Sequence, residues 1–159
     1  MPNIYSLLES LSIPFTRYNH PAVFTVDESE KICKDIPGAK TKNLFLRNRA
    51  GDKHWLVVIA AEKRADLKKL AALVGETKLS FASPERLMKY LGITPGSVTF
   101  LALINDVHHA VNVIVDEDIM KHEAIQTHPL TNTATLVIPR AGVKKFLAYC
   151  ENTITFITL

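Results

Sequence analysis

The chain has little cysteine. Cys33 and Cys150 are the only two among 159 residues, far apart and without CxxC spacing. That argues against a disulfide framework or a cysteine zinc site and fits a reducing cytoplasm. Glycine is also scarce, at six residues, and none forms GxGxxG or GxxxxGK[ST], so readings that need a nucleotide cofactor lose their best support. HExxH and GxSxG are absent, which removes a metalloprotease of that type and an α/β-hydrolase. No apolar run reaches the roughly 18 residues of a membrane span; LVVIAA and VTFLALI are strand-sized. The N-terminal MPNIYSLLESLSIPF has no basic region followed by a long apolar stretch, so no signal peptide is expected. Charge of one sign is not in excess. Lys plus Arg number 19 against 16 Asp plus Glu, and the net +3 permits a polyanionic partner without demanding one. There is no repeat, low-complexity tract or Gly/Ser linker, and the length suits one domain spanning residues 1–159.

What is present is a mixture of short helices and strands. Asn3 can cap a first helix carrying Ile4, Leu7, Leu8 and Leu11 at helical spacing. Phe15 to Tyr18 reads as a short strand, and Thr25 or Asp27 opens a second helix through Cys33. Residues 42–48 and 54–61 form a hairpin around NRAGDK. Asp66 caps a helix that Gly75 ends, a brief strand follows at Lys78 to Phe81, and Ser83-Pro84 opens another helix ending at Leu91-Gly92. VTFLALI is apolar on both faces and predicts a central strand, with Asn105 to Ala110 turning the chain and Val111 to Val115 returning it. Asp116 begins a short helix, strands follow near Ala124 to Thr127 and Thr133 to Ile138, Pro139 starts the last helix, and Thr153 to Ile157 closes the chain. This is not the regular alternation of a Rossmann fold. It predicts an α+β domain on a mixed, mostly antiparallel curved sheet or barrel with surrounding helices.

Four features bear on chemistry. In AKTKNLFLRN, side-chain alternation puts Lys42 on one face with Leu44 and Leu46. Lys42 is either a strand-entry lysine whose stem lies on the core, or a cation held at a pocket edge for a phosphate or carboxylate; a buried ammonium needs a partner or an opening. Lys40, Arg47 and Arg49 could make that end of the hairpin a basic patch. THPLTNTATLVI offers His128 and Asn132 among neutral hydrogen-bonders, as a polar turn or as a pocket wall without a strong nucleophile. GITPGSV is a plain connection or a loop that aims backbone N–H groups at an oxygen. His108-His109 reads as a surface turn rather than a metal site, and Cys33 as core filler.

The ordered segments HPAVFTV, TKNLFLRN, LGITPGSVT, LALIND and HPLTNTAT, from about His20 to Ile138, resemble the YbaK/prolyl-tRNA synthetase editing-domain family. The nearest likeness is to free-standing trans-editing members. The resemblance implies a mixed barrel-like sheet, no metal or organic cofactor, and hydrolysis of alanine from mischarged tRNA(Pro). It places the family's essential lysine on Lys42, its glycine loop on Gly96, Ser97 and Val98, and its histidine on His128. Lys42, Gly96, Ser97 and His128 are therefore the catalytic candidates, and His20, Asn43, Val98, Asn105 and Asn132 the substrate-binding ones. Lys42 would meet a phosphate of the acceptor end, the loop amides would hold the oxyanion, and the ribose hydroxyl would receive the proton. Phe100 departs from the proline that relatives often carry there. The implied partners are the tRNA(Pro) acceptor end and, beyond it, prolyl-tRNA synthetase or an elongation factor, in the cytoplasm and with no membrane.

Three rivals stand beside this reading: a YbaK-like deacylase for Cys-tRNA or another small amino acid, a nucleic-acid-binding module without catalysis, and a metal hydrolase using His108 and His109.

Overall fold

A computed structural model of the chain describes residues 3–23 and 25–159; Phe24, within the HPAVFTV stretch, lies outside them. Local chemistry sets most helix ends. The Asn3 side chain accepts from the Tyr5 and Ser6 amides and opens α1 (Ile4–Ser10), which buries Ile4 and Leu8. The Thr25 hydroxyl accepts the Glu28 amide at the start of α2 (Val26–Ile32). Asp66 takes the Lys68 and Lys69 amides at the start of α3 (Leu67–Val74), and Gly75, at φ +76°, ends it in the left-handed region that glycine tolerates best. Ser83 caps α4 (Pro84–Leu91), with proline at the first position where its missing N–H costs nothing. The last helix is α5 (Arg140–Cys150).

Two sheets pack through these helices. One is antiparallel, in the order β1 (Thr16–Asn19), β7 (Ala134–Pro139), β6 (Ala124–Thr127). The other runs β4 (Leu79–Phe81), β2 (Thr41–Asn48), β3 (His54–Ala60), β5 (Val111–Asp116), β8 (Ile154–Ile157). In it β2 is antiparallel to both β3 and β4, while β5 lies parallel to both β3 and β8. Every residue of β3 is buried because cores lie on both its faces. Leu56 and Val58 join the larger core with Leu101, Leu136 and Phe146. Trp55, Val57 and Ile59 join a smaller one with Leu46 and Leu70 of α3. The sheets meet at Ala39, whose N–H donates to Ala124 O and whose carbonyl accepts from Gln126 N, both at 2.9 Å. The α+β reading and its predominantly antiparallel pairing hold. No helix among the described residues is long and apolar enough to cross a membrane.

Two sequence expectations are corrected. VTFLALI is not a strand: Phe100–Asn105 is a 3-10 helix, opened by the Thr99 side chain accepting the Leu101 amide. Phe100, Leu101, Ala102 and Leu103 are all buried, and Phe100 meets Phe146 edge-on at 5.9 Å. A short run that is apolar all round reads the same in a buried helix as in a buried strand. As a result, residues 105–110 turn no hairpin, and β5 instead joins β3 in parallel from His54↔Val111 onward. Asp116 likewise ends β5, fully buried, and the short 3-10 helix after it begins only at Ile119.

Candidate active site

Where the sheets meet, a cavity of about 270 Å³ opens between the first residues of β2, the ends of β6 and β7, and the loop before the 3-10 helix. Strand β2 supplies Lys42 and Asn43, the loop supplies Gly96 and Val98, and His128 follows directly on β6; all five line the cavity. No Asp, Glu, Cys or Ser is among the described lining residues. The polar wall is made of ammonium, amide, hydroxyl and imidazole groups, with Val23, Leu44, Ala61 and Val98 as its apolar part.

Lys42 is half-buried, and Lys40 lies on the same rim. Neither forms an ion pair among the described residues. Two ammonium groups at one opening with no carboxylate make it electropositive, a fit for an anion. Asn43 adds a buried side-chain oxygen that has no hydrogen-bond partner. Such an orphan acceptor costs roughly 1–3 kcal/mol unless a ligand or water supplies a donor.

The two histidines of this region are fixed by carbonyls. His128 Nδ1 lies 3.2 Å from Ala134 O and can only donate there, which leaves Nε2 as a lone-pair acceptor. Burial pushes its pKa down, with the neighbouring His20 adding to the effect, so the ring is neutral near pH 7. His20 Nδ1 lies 2.8 Å from Pro21 O, and its Nε2 therefore accepts the Thr135 hydroxyl at 2.8 Å. His20 is not a lining residue; it orients Thr135, which is.

The glycine loop is divided in its use. Gly96 sits at φ +91°, a conformation that side chains other than glycine rarely adopt. The Ser97 amide is already donated to Thr94 O at 3.1 Å, and its residue is buried outside the cavity lining. The Gly96 and Val98 amides have no partner among the described residues. Ser97 is thus a turn residue, and the free donors are its neighbours.

Asn132 also stands back from the cavity. Its Nδ2 donates to Val23 O at 3.0 Å, and its carbonyl accepts from Val23 N at 3.2 Å, so it holds one wall. Asn105 is placed elsewhere: its Nδ2 donates to Leu91 O at 2.9 Å, closing the end of α4. Phe100 lies in the core and does not line the cavity. His109 is exposed, with Nε2 3.8 Å from Glu151, and no group of His, Cys, Asp and Glu among the described residues could hold a metal ion. Cys33 and Cys150 are buried free thiols, and burial, with the nearby Asp106, pushes Cys150 up to about 12.

Gln126 and Thr127 were missed in the sequence. Gln126 lines the cavity while its side-chain Nε2 donates to Ile36 O at 2.8 Å and Pro37 O at 3.0 Å; separately, its backbone carbonyl accepts the Thr41 hydroxyl at 2.7 Å. One amide thus ties the segment leading into β2 to β6, immediately before Lys42. Thr127 shares a 2.8 Å hydrogen bond with Thr99, which joins β6 to the glycine-loop segment. The available signal was a glutamine inside a short strand, where an unpaired buried amide would be costly.

Two lysines and neutral hydrogen-bonding groups thus share one cavity, with no acidic side chain among its described lining residues. Residues 20–146 match the aminoacyl-tRNA editing domain, and the chain belongs to that family of aminoacyl-tRNA deacylases. It is 37% identical over 156 residues to a prolyl-tRNA editing protein ProX of Acetoanaerobium sticklandii, covering 98% of this chain and 95% of that one. It is 33% identical to the prolyl-tRNA synthetase associated domain-containing protein 1 of Danio rerio, covering 92% of this chain and 80% of the relative. A crystal structure of a candidate trans-editing enzyme for prolyl tRNA synthetase superimposes with a TM-score of 0.70 at 20% identity, over 100% of this chain and 98% of that one, a likeness of fold.

Proposed function

We propose that this protein acts in trans, as one editing unit in the cytoplasm, to hydrolyse the ester of alanine mischarged on tRNA(Pro). The observation that carries the reading is Lys42: a half-buried ammonium with no carboxylate partner among the described residues, lining a cavity of about 270 Å³ whose described lining holds no acidic side chain. A phosphate of the tRNA acceptor end is the anion that would complete it, and the aminoacyl ester would then lie inside.

In this reading water attacks the ester carbonyl carbon. The negative charge that develops on the carbonyl oxygen meets the free amides of Gly96 and Val98, a contact that strengthens only as the charge forms. The carbon–oxygen bond to the ribose breaks, the departing ribose oxygen ends protonated, and alanine and tRNA are released. The free ribose hydroxyl beside the ester relays the proton, and neutral His128 positions the substrate through Nε2 without serving as sole base. Asn43 Oδ1 accepts a donor from the bound end. Such an enzyme is needed because a site built for proline loses only about 1–3 kcal/mol of binding when a smaller side chain enters it.

The test is a deacylation panel of tRNA(Pro) charged with alanine, cysteine, serine or proline. Alanine should be released fastest and proline spared. A cysteine optimum would favour a YbaK-like specificity on the same fold, and no release above buffer from any of the four would end the hydrolase reading.

A further inference from the structure

A second cationic cluster lies at the other end of β2. The sequence grouped Arg47 and Arg49 with Lys40 as one basic patch, but strand geometry separates them: Lys40 and Lys42 line the cavity, and Arg47 sits near the hairpin tip. There it meets Arg86 of α4. The Arg86 Nη1 donates to Gly51 O at 2.8 Å and to His54 Nε2 at 3.1 Å. Arg47 donates to the carbonyls of Asn48 and Arg49 at 3.2 and 3.1 Å. A Cβ on Gly51 would lie 2.9 Å from Arg86 Nη2 and 3.1 Å from Arg47 Nη2, so two guanidiniums converge on the same small space.

Neither has a carboxylate within ion-pair range among the described residues. The nearby acids are engaged otherwise: Asp52 accepts from Asn48 Nδ2, and Glu76 lies 4.0 Å from Lys53. Lys89 adds a third cation, its ammonium 5.3 Å from the Tyr90 ring, which packs on His54 at 4.2 Å. The field is felt inside: burial first, then Arg86, Arg47 and Lys89, bring His54 down to about 4. A single arginine would suffice to pin the hairpin tip through Gly51 O. The second one, Arg47, brings like charge against it and spends its two hydrogen bonds on its own turn, leaving further N–H groups of both planar forks free. Paired forks without internal acids suit a phosphate.

The cluster also has a place relative to the cavity. Asn43 and Arg47 lie on one face of β2 by alternation, with Phe45 buried in the core between them, so the distance along the strand sets only their separation; Asn43 lines the cavity. Four residues along a strand span about 14 Å, which matches about four nucleotides at an axial rise of ~3.4 Å per stacked nucleotide.

We propose that Arg47 and Arg86, with Lys89 beside them, form a second phosphate site that holds the nucleic-acid backbone about four nucleotides from the end in the cavity. The inference rests on the reading that a tRNA end occupies that cavity.

The test is binding of uncharged tRNA(Pro) to the full chain by fluorescence anisotropy across a salt series, so it needs no hydrolysis. It can therefore fail while deacylation stands, and deacylation can fail while it stands. For Arg47→Gln/Arg86→Gln the slope of log affinity against log salt should fall by about 1–2, since each phosphate contact contributes about 0.9, with roughly tenfold weaker binding at low salt. Binding of a CCA trinucleotide should not change, because it ends before the cluster. Arg86 also supports the hairpin, so Lys89→Gln, whose ammonium makes no hydrogen bond, is the second variant, with an expected slope change of up to about 1 and an unaltered melting temperature. Unchanged tRNA affinity and slope in Lys89→Gln and in a folded double variant would overturn the site. So would equal losses for tRNA and trinucleotide, or weakened binding of inorganic phosphate with tRNA binding intact.

Discussion

Two half-buried lysines at the same end of the β2–β3 hairpin are treated in opposite ways. Lys63, just past β3, is closed in by its own protein: its Nζ donates to Asp116 at 3.0 Å, Asp118 at 2.6 Å and Leu159 O at 2.8 Å. Asp116 is fully buried and also accepts the Ala60 amide, so the cluster ties β3 to β5 beside Ala61, which lines the cavity. Lys42, across the hairpin, has no such partner among the described residues. A charge neutralised from within is structure. On the proposed reading, a charge left open at a cavity is a provision for an anion that arrives.

Exchanging the roles of these lysines should break the comparison cleanly. Lys63→Ala leaves the buried Asp116 carboxylate uncompensated and should cost about 3 kcal/mol, at the low end for breaking a buried pair because water reaches Lys63, as read in a denaturant midpoint with unchanged m-value. Lys42→Ala should do the reverse. It removes a charge-assisted contact worth about 1.5–3 kcal/mol, so kcat/KM for alanine release should fall about 10- to 100-fold while the denaturation midpoint holds or rises. A stability loss in Lys42→Ala equal to that of Lys63→Ala would mean the two lysines do the same work.

Gln126 lies between these extremes, a lining residue that also ties down structure. Gln126→Leu strips the donor from the Ile36 and Pro37 carbonyls and should cost about 1–3 kcal/mol, with a rise in KM as the segment before Lys42 loosens. Loss of stability without any kinetic change would confine it to the scaffold.

At neutral pH the smallest effect is that of titration, because it develops only as the pH falls. His54 and His128 both titrate below the ordinary 6.5 in the folded chain, His54 at about 4. The unfolded chain then binds protons first as pH falls, so the contribution of these groups to stability is complete above 6.5 and is lost progressively from 6.5 towards 4. Replacing His54 with Gln should flatten that slope in a series of denaturation midpoints, and an unchanged slope would show that the ring titrates alike in the folded and unfolded chain.

Much of the fold could be read because it is decided locally. Asn3, Asp66 and Ser83 cap the helices their positions announce, and the 42–48 and 54–61 hairpin pairs through Lys42↔Ile59 and Leu46↔Trp55. What escaped was decided by tertiary contact. The apolar segment at 100–105 coils because Phe146 and α4 cover it, and β5 runs parallel to β3 because the chain between them crosses over; neither fact leaves a local trace. The site divides in the same way. Lys42, Asn43, Gly96, Val98 and His128 line one cavity. Ser97, Asn105 and Asn132 carry the same polar groups but use them on Thr94, Leu91 and Val23. A sequence shows which residues can hydrogen-bond, and only packing shows which of them remain unoccupied.

The most direct test of the open lysine is calorimetric titration with a non-hydrolysable alanyl-amide of 3′-aminoadenosine, with and without a 5′-phosphate. The account predicts that wild type binds the phosphorylated form at least tenfold more tightly and that Lys42→Ala binds the two alike. Equal affinity of the wild-type protein for both forms would contradict it.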